Sequence, residues 1–201
     1  MAQFKQLLSV MRQTSRVAAD SSLSLFCDLP RYQFTKAAVA MGKAYMTTPM
    51  VRFCFWMRVC KRYRFRHPLG ILGRVMFRKI SIQYGMQFPH ATHIGKGLFI
   101  GHPGGIVINQ RATLGENCNI SQGVTVGRLS RGKNSGSPRV GNRVYIGVNS
   151  VVVGNITIGD DALIGPLTLV NFDVPARAVV VGNPGKIISY QGSGEYVKHL
   201  A

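Results

Sequence analysis

Between residues 93 and 170 an aliphatic side chain recurs at every sixth position. Ile94 and Ile100 open the beat, Ile108, Leu114, Ile120 and Val126 carry it on, and Val140, Ile146, Val152, Ile158, Ile164 and Val170 complete it. A step of six fits neither the 3.6-residue period of a helix nor the two-residue alternation of a strand. It suits a triangular coil in which each six-residue side turns one aliphatic residue inward and three sides make a turn of about 18 residues. Gly follows the beat residue at positions 95, 101, 115, 127, 141, 147, 159 and 165. Gly, Asn and Asp reach the left-handed conformation that such corners require at low cost. The expected fold is mainly β: a parallel β-helix of hexapeptide repeats behind an N-terminal α-helical region.

The beat slips twice. From Ile100 to Ile108 the step is eight, and the two extra residues fall in "GHPGG", which holds His102. From Val126 to Val140 it is 14, leaving a loop at 127–139 with Arg128, Arg131, Lys133 and Arg139. A two-residue insertion bulges the backbone outward and presents its side chain away from the coil wall. Gly104 and Gly105 leave room for a ligand beside it. Long loops in a compact coil are commonly functional.

Charge divides the chain unevenly. Residues 1–87 hold 15 basic and 2 acidic residues, and residues 88–201 hold 10 and 5. The whole chain carries a formal +18, which attracts something anionic: a phosphorylated ligand, an anionic lipid surface or nucleic acid. No nucleic-acid motif accompanies the charge, so nucleic acid is the weakest of the three. The segment from Pro49 to Met86 mixes cations with Phe53, Phe55, Trp56, Tyr63 and Phe65, and Pro49 and Pro68 break it. Two readings stand: a helical layer in a subunit interface, or peripheral contact with an anionic bilayer. Four cysteines, at 27, 54, 60 and 118, show no framework spacing and read as reduced thiols of a cytoplasmic protein. Residues 1–16 lack the apolar core of a leader peptide, and no apolar run reaches membrane-spanning length. His90 and His93 tempt a metal reading, but no third ligand is evident and no metal is expected. Three regions result: 1–86, 87–188 with its loop, and a tail at 189–201.

"GLFIGHPGGIVINQRATLGENCNISQGVTVG", "VYIGVNSVVVGNITIGDDALIGPLTLV" and "VPARAVVVGNPGKI" resemble the hexapeptide-repeat acyltransferases, most nearly their serine acetyltransferase branch. The resemblance implies a left-handed coil, a homotrimer or dimer of trimers, a site shared between neighbouring coils, and acetyl-CoA as co-substrate. It implies His102 as general base, with Gln87 where the family has a supporting aspartate. It carries acetyl-CoA contacts to Gly147, Val148, Asn149, Gly165, Pro166, Gly182 and Lys186. On the acceptor side it points to Gly101, where the family has Asp, to Arg128 and Arg131, and to Ser137, where the family has a second histidine. Those three departures remove polar groups suited to an amino-acid acceptor. The expected activity is therefore that of the related polysaccharide O-acetyltransferases, on a sugar hydroxyl of a glycan or of its lipid- or nucleotide-linked precursor. Serine O-acetylation is the alternative, and a basic nucleic-acid- or membrane-binding scaffold trimer is the reading from a different class.

Overall fold

The computed structural model describes residues 25, 27–33 and 38–201, so the reading of residues 1–16 lies outside the described part. A 3-10 turn at Leu29–Tyr32 precedes three helices, α1 (Ala38–Thr47), α2 (Pro49–Arg62) and α3 (Pro68–Gln83). Short strands follow: β1 (His93–Ile94), β2 (Phe99–Ile100), β3 (Val107–Ile108), β4 (Thr113–Leu114), β5 (Asn119–Ile120), β6 (Thr125–Gly127) and β7 (Arg139–Val140). The series continues with β8 (Tyr145–Ile146), β9 (Val151–Val153), β10 (Thr157–Ile158), β11 (Leu163–Ile164), β12 (Leu169–Val170), β13 (Val179–Val181) and β14 (Lys186–Ser189).

The strands stack as three faces. Face one is β1-β4-β7-β10, face two is β2-β5-β8-β11-β13, and face three is β3-β6-β9-β12. Every pair within these stacks is parallel, and only β14 runs antiparallel, closing face two beside β13. The chain visits the faces in rotation, as a six-residue beat requires. Beat residues register on one another, as in Ile100↔Ile120 and Ile120↔Ile146, and all twelve are at most 4% exposed. Each such burial contributes about 1.5–3 kcal/mol before entropy is charged.

The corners divide their duties in a way the sequence pattern blurs. The left-handed residues stand three places after a beat residue: Gly97, Asn117, Arg143 and Asp161 at one corner, Gly123, Asn149 and Leu167 at the next, and Arg177 continues the first corner three places after Val174. Most glycines directly after the beat are there for close stacking instead, Gly101 excepted, where a Cβ would meet only Phe99 Cε1 at 3.5 Å. A Cβ on Gly95 would lie 2.6 Å from the Gly115 carbonyl oxygen, and one on Gly115 would lie 2.5 Å from that of Gly141.

Pro49 and Pro68 open α2 and α3, where a missing N–H costs nothing. The structure corrects the surface reading of α2. Phe53, Phe55 and Trp56 are buried with most of that helix, which shows no apolar stripe because it is enclosed on nearly every side. Phe53 packs edge-on against Phe88, 5.1 Å between centroids, at the mouth of the coil. Arg58 of α2 donates twice to Asp28, at 2.8 and 3.0 Å, and to the carbonyls of Ile94 and Gly95. Asp28 also accepts from the Leu98 amide, so one buried ion pair joins the 3-10 turn, α2 and the first coil turn. The tail descends along face two. Asn119 Nδ2 donates to the Tyr196 carbonyl, and the Ala201 amide donates to Asn117 Oδ1. All four cysteines are free and buried. Among the described residues no helix is long and apolar enough to cross a membrane.

Candidate active site

His102 stands on the corner between faces two and three, in the first coil turn, and is exposed. The slip is visible in the backbone. The left-handed residue due three places after Ile100 comes at Gly105, five places after, so the two extra residues are accommodated ahead of it. Gly123 donates to the Gly104 carbonyl at 2.9 Å, so the bulge is anchored on the next turn. A Cβ on Gly104 would meet nothing within 4 Å, which leaves open space beside the imidazole.

The same corner recurs up the coil. Gly147, Val148 and Asn149 occupy it two turns on, Gly165 and Pro166 three turns on, and Gly182 four turns on, as the register Phe99↔Asn119, Asn119↔Tyr145, Tyr145↔Leu163 and Leu163↔Val179 requires. Residues chosen from three separate sequence segments thus form one continuous edge with His102. A Cβ on Gly147 would sit 2.7 Å from the Pro166 nitrogen, so that edge is tightly stacked backbone. Lys186 lies exposed in β14, beside the last turn.

Gln87 sits on face three, paired with Val107. Its amide donates to the Ile106 carbonyl and its carbonyl accepts from Ile108, both at 2.8 Å, which makes it one further rung on face three. With Asn109 and Phe77 it lines a cleft of ≈ 530 Å3 between α3 and that face. Among the described residues no hydrogen bond joins Gln87, or any other group, to the His102 side chain. Only the Gln87 backbone is committed to the sheet, and its side chain is exposed.

Ser137 and the loop stand at a different corner, between faces three and one. Ser137 Oγ donates to Asn109 Oδ1 at 3.1 Å. The loop reads as flexible by composition, yet Leu129 and Gly136 exchange two backbone hydrogen bonds, and Asn134 Nδ2 donates to the Asn171 carbonyl at 3.0 Å. Arg128 and Arg131 are exposed on it. Within one chain, all of face three separates these cations from His102. His90 is held below the ordinary imidazole value by burial, then by Arg74 and Lys61, and that positive field is a poor setting for a metal ion. The sequence reading missed the Asp28–Arg58 clasp and the docking of the tail, because neither partner pair has a fixed spacing.

A coil of stacked hexapeptides with an exposed histidine at a slipped corner defines the class of hexapeptide-repeat transferases. Residues 137–171 match the bacterial transferase hexapeptide family of six repeats. A serine acetyltransferase of Helicobacter pylori is 33% identical over 132 residues, covering 63% of this chain and 77% of its own. One of Synechococcus elongatus is 36% identical over 141 residues, 69% of this chain and 58% of its own. Soybean serine acetyltransferase apoenzyme superposes with a TM-score of 0.68 at 28% identity, over 87% of this chain and 72% of its own. A serine acetyltransferase solved as a complex with CoA gives 0.55 at 26% identity, over 70% of this chain and 55% of its own. The chain belongs to the serine acetyltransferase family, and its coil is that family's left-handed parallel β-helix. It spans 58% and 43% of two of its curated relatives. These relatives carry the serine acetyltransferase name, not that of the polysaccharide O-acetyltransferases suggested by the Gly101, Gln87 and Ser137 departures.

Proposed function

We propose that the protein transfers an acetyl group from acetyl-CoA to an alcohol, with His102 as general base. The observation that carries this reading is the single edge that runs from His102 through Gly147–Asn149 and Gly165–Pro166 to Gly182. Parallel rungs lie ~4.8 Å apart, so four rungs give a strip of roughly 19 Å. That shape suits an extended pantetheine arm with its thioester at the His102 end and its phosphates toward Lys186. The imidazole takes the hydroxyl proton as the oxygen attacks the thioester carbon. The C–S bond breaks, and the thiolate recovers the proton as the CoA thiol. In a homotrimer, or a dimer of trimers, Arg128 and Arg131 of one copy approach the His102 edge of the next.

L-Serine is the first acceptor for this site, because the relatives are serine acetyltransferases. One set of observations favours a second acceptor, a sugar hydroxyl of a glycan precursor. Positions 87, 101 and 137 supply Gln, Gly and Ser, and four of the described carboxylates are paired elsewhere: Asp28 with Arg58, Glu116 with Lys96, Asp160 and Asp161 with Arg143. Asp173 accepts from the Thr157 amide, and Glu195 belongs to the tail. An α-ammonium group finds no counter-charge from this chain at the His102 corner. Thiol release from acetyl-CoA, measured with L-serine and with nucleotide-linked and lipid-linked sugars, separates the two. Saturable turnover with serine establishes the first, turnover with a sugar alone establishes the second, and thiol release with neither refutes O-acetyl transfer. Peripheral contact with an anionic bilayer is a separate proposal. With the α2 aromatics buried, it rests on exposed Phe65, Ile71, Val75 and Ile82 beside the cations of α3. Flotation with anionic liposomes at low and high salt tests it.

A further inference from the structure

Away from the His102 edge, three remote segments close around a cavity of ≈ 280 Å3 on the outer side of face two. Arg31 and Tyr32 come from the 3-10 turn, Phe99 and Asn119 from β2 and β5, and Lys198 and His199 from the C-terminal tail. Arg31 is only 3% exposed, yet among the described residues it forms no ion pair. Its terminal nitrogens donate to the Lys198 carbonyl and to Asn119 Oδ1, which are neutral oxygens. Its Nε has no partner among the described residues. Asn119 is fixed in that orientation because its Nδ2 donates to the Tyr196 carbonyl at 2.6 Å. The guanidinium lies against the Phe99 ring, 5.7 Å from its centroid.

A buried cation without a counter-charge is costly. Burial pulls the Arg31 pKa down, as that cost requires. The contrast with Arg58 is direct: that buried arginine has Asp28 in a two-point pair, and the same fold gives Arg31 only neutral oxygens. Lys198 brings a second cationic group to the same cavity, and His199 brings an imidazole that can donate a hydrogen bond. Guanidinium groups bind phosphate oxygens through N–H donors, and Nε is the Arg31 donor left without a partner among the described residues.

We propose that this cavity is a binding site for a phosphoryl dianion, free or as a phosphomonoester, held by Arg31, Lys198 and His199. The bound anion would also fasten the tail, since two of its three partners belong to it. The proposal does not depend on acetyl transfer.

Isothermal titration of the full-length protein tests it, with inorganic phosphate and glycerol phosphate as probes and acetate at matched ionic strength as the carboxylate control. Saturable phosphate binding is expected. It should weaken tenfold or more in Arg31→Gln and in the double variant Lys198→Ala/His199→Ala. It should be unchanged in Lys186→Ala, which separates this site from the acetyl-CoA edge. The double variant removes exposed groups, so it carries the test if Arg31→Gln fails to fold. Tighter binding of glycerol phosphate than of inorganic phosphate assigns the site to an ester, and the reverse assigns it to the free ion. Acetate binding as tight as phosphate, or undiminished phosphate binding by the double variant, overturns the proposal.

Discussion

Lys61 shows how a single residue can record the cost of a location. Burial first, and the neighbouring Arg58 second, pull its ammonium pKa down to about 8. In the unfolded chain it returns to the ordinary lysine value, about 10.4. Between those two values the unfolded state binds more protons, so stability rises with pH across that window. Below pH 8 the penalty is fully present. Lys61→Met should therefore stabilise the protein at pH 7, by about 1–3 kcal/mol, with the gain shrinking toward pH 10. Urea unfolding at the two pH values checks this, and a gain that grows with pH would refute it. The exposed position of His102 was legible at the same scale, because a two-residue exception to the repeat isolates it. What orients it was not legible, because no periodic rule links Gln87, which joins face three through its backbone, to the slipped corner.

Elements differ in how openly the sequence declares them. Each coil side buries its beat residue, and commonly the residue two places before it, independently of the other sides, so twelve short strands could be read one at a time from the beat. Helix α2 could not be read this way, because a helix enclosed on all sides presents no periodic stripe and its Phe and Trp look like surface anchors. The Asp28–Arg58 pair spans 30 positions and follows no periodicity. Yet it decides how the helices meet the coil. Burial alone would pull the Arg58 pKa down, but the charge and hydrogen bonds of Asp28 push it above its ordinary value. Asp28→Asn leaves that cation without a counter-charge and removes one strong acceptor. The expected loss is about 3–5 kcal/mol, visible as a lowered denaturation midpoint. A loss below about 1 kcal/mol would mean the helices hold to the coil without it.

At the scale of the whole molecule, the corner occupied by each site residue is the decisive geometry. His102 lies between faces two and three, while Ser137, Arg128 and Arg131 lie between faces three and one. One chain cannot bring them together, but adjoining coils can, and a closed ring of three gives every copy the same contact. Light scattering should give a mass near three times 22.0 kDa, or a multiple of it. A sharper check uses two inactive chains, one with His102→Ala and one with residues 128–136 replaced by glycines. Unfolded and refolded together, they should recover about a quarter of wild-type activity, the share of contacts that pair an intact histidine with an intact loop. A mixture as inactive as its components would place histidine and loop in separate functions.

The central claim is that the two-residue slip at Ile100–Ile108 presents a base. The most direct measurement compares wild type and His102→Ala for acetyl-CoA binding by calorimetry and for thiol release with the preferred acceptor. His102 lies on an exposed bulge outside the stacked core, so the variant should fold and bind acetyl-CoA as wild type does. Its turnover should fall by about 10²–10⁴. Turnover within a fewfold of wild type, with binding intact, would contradict the account and leave the slip at Ile100–Ile108 without a catalytic purpose.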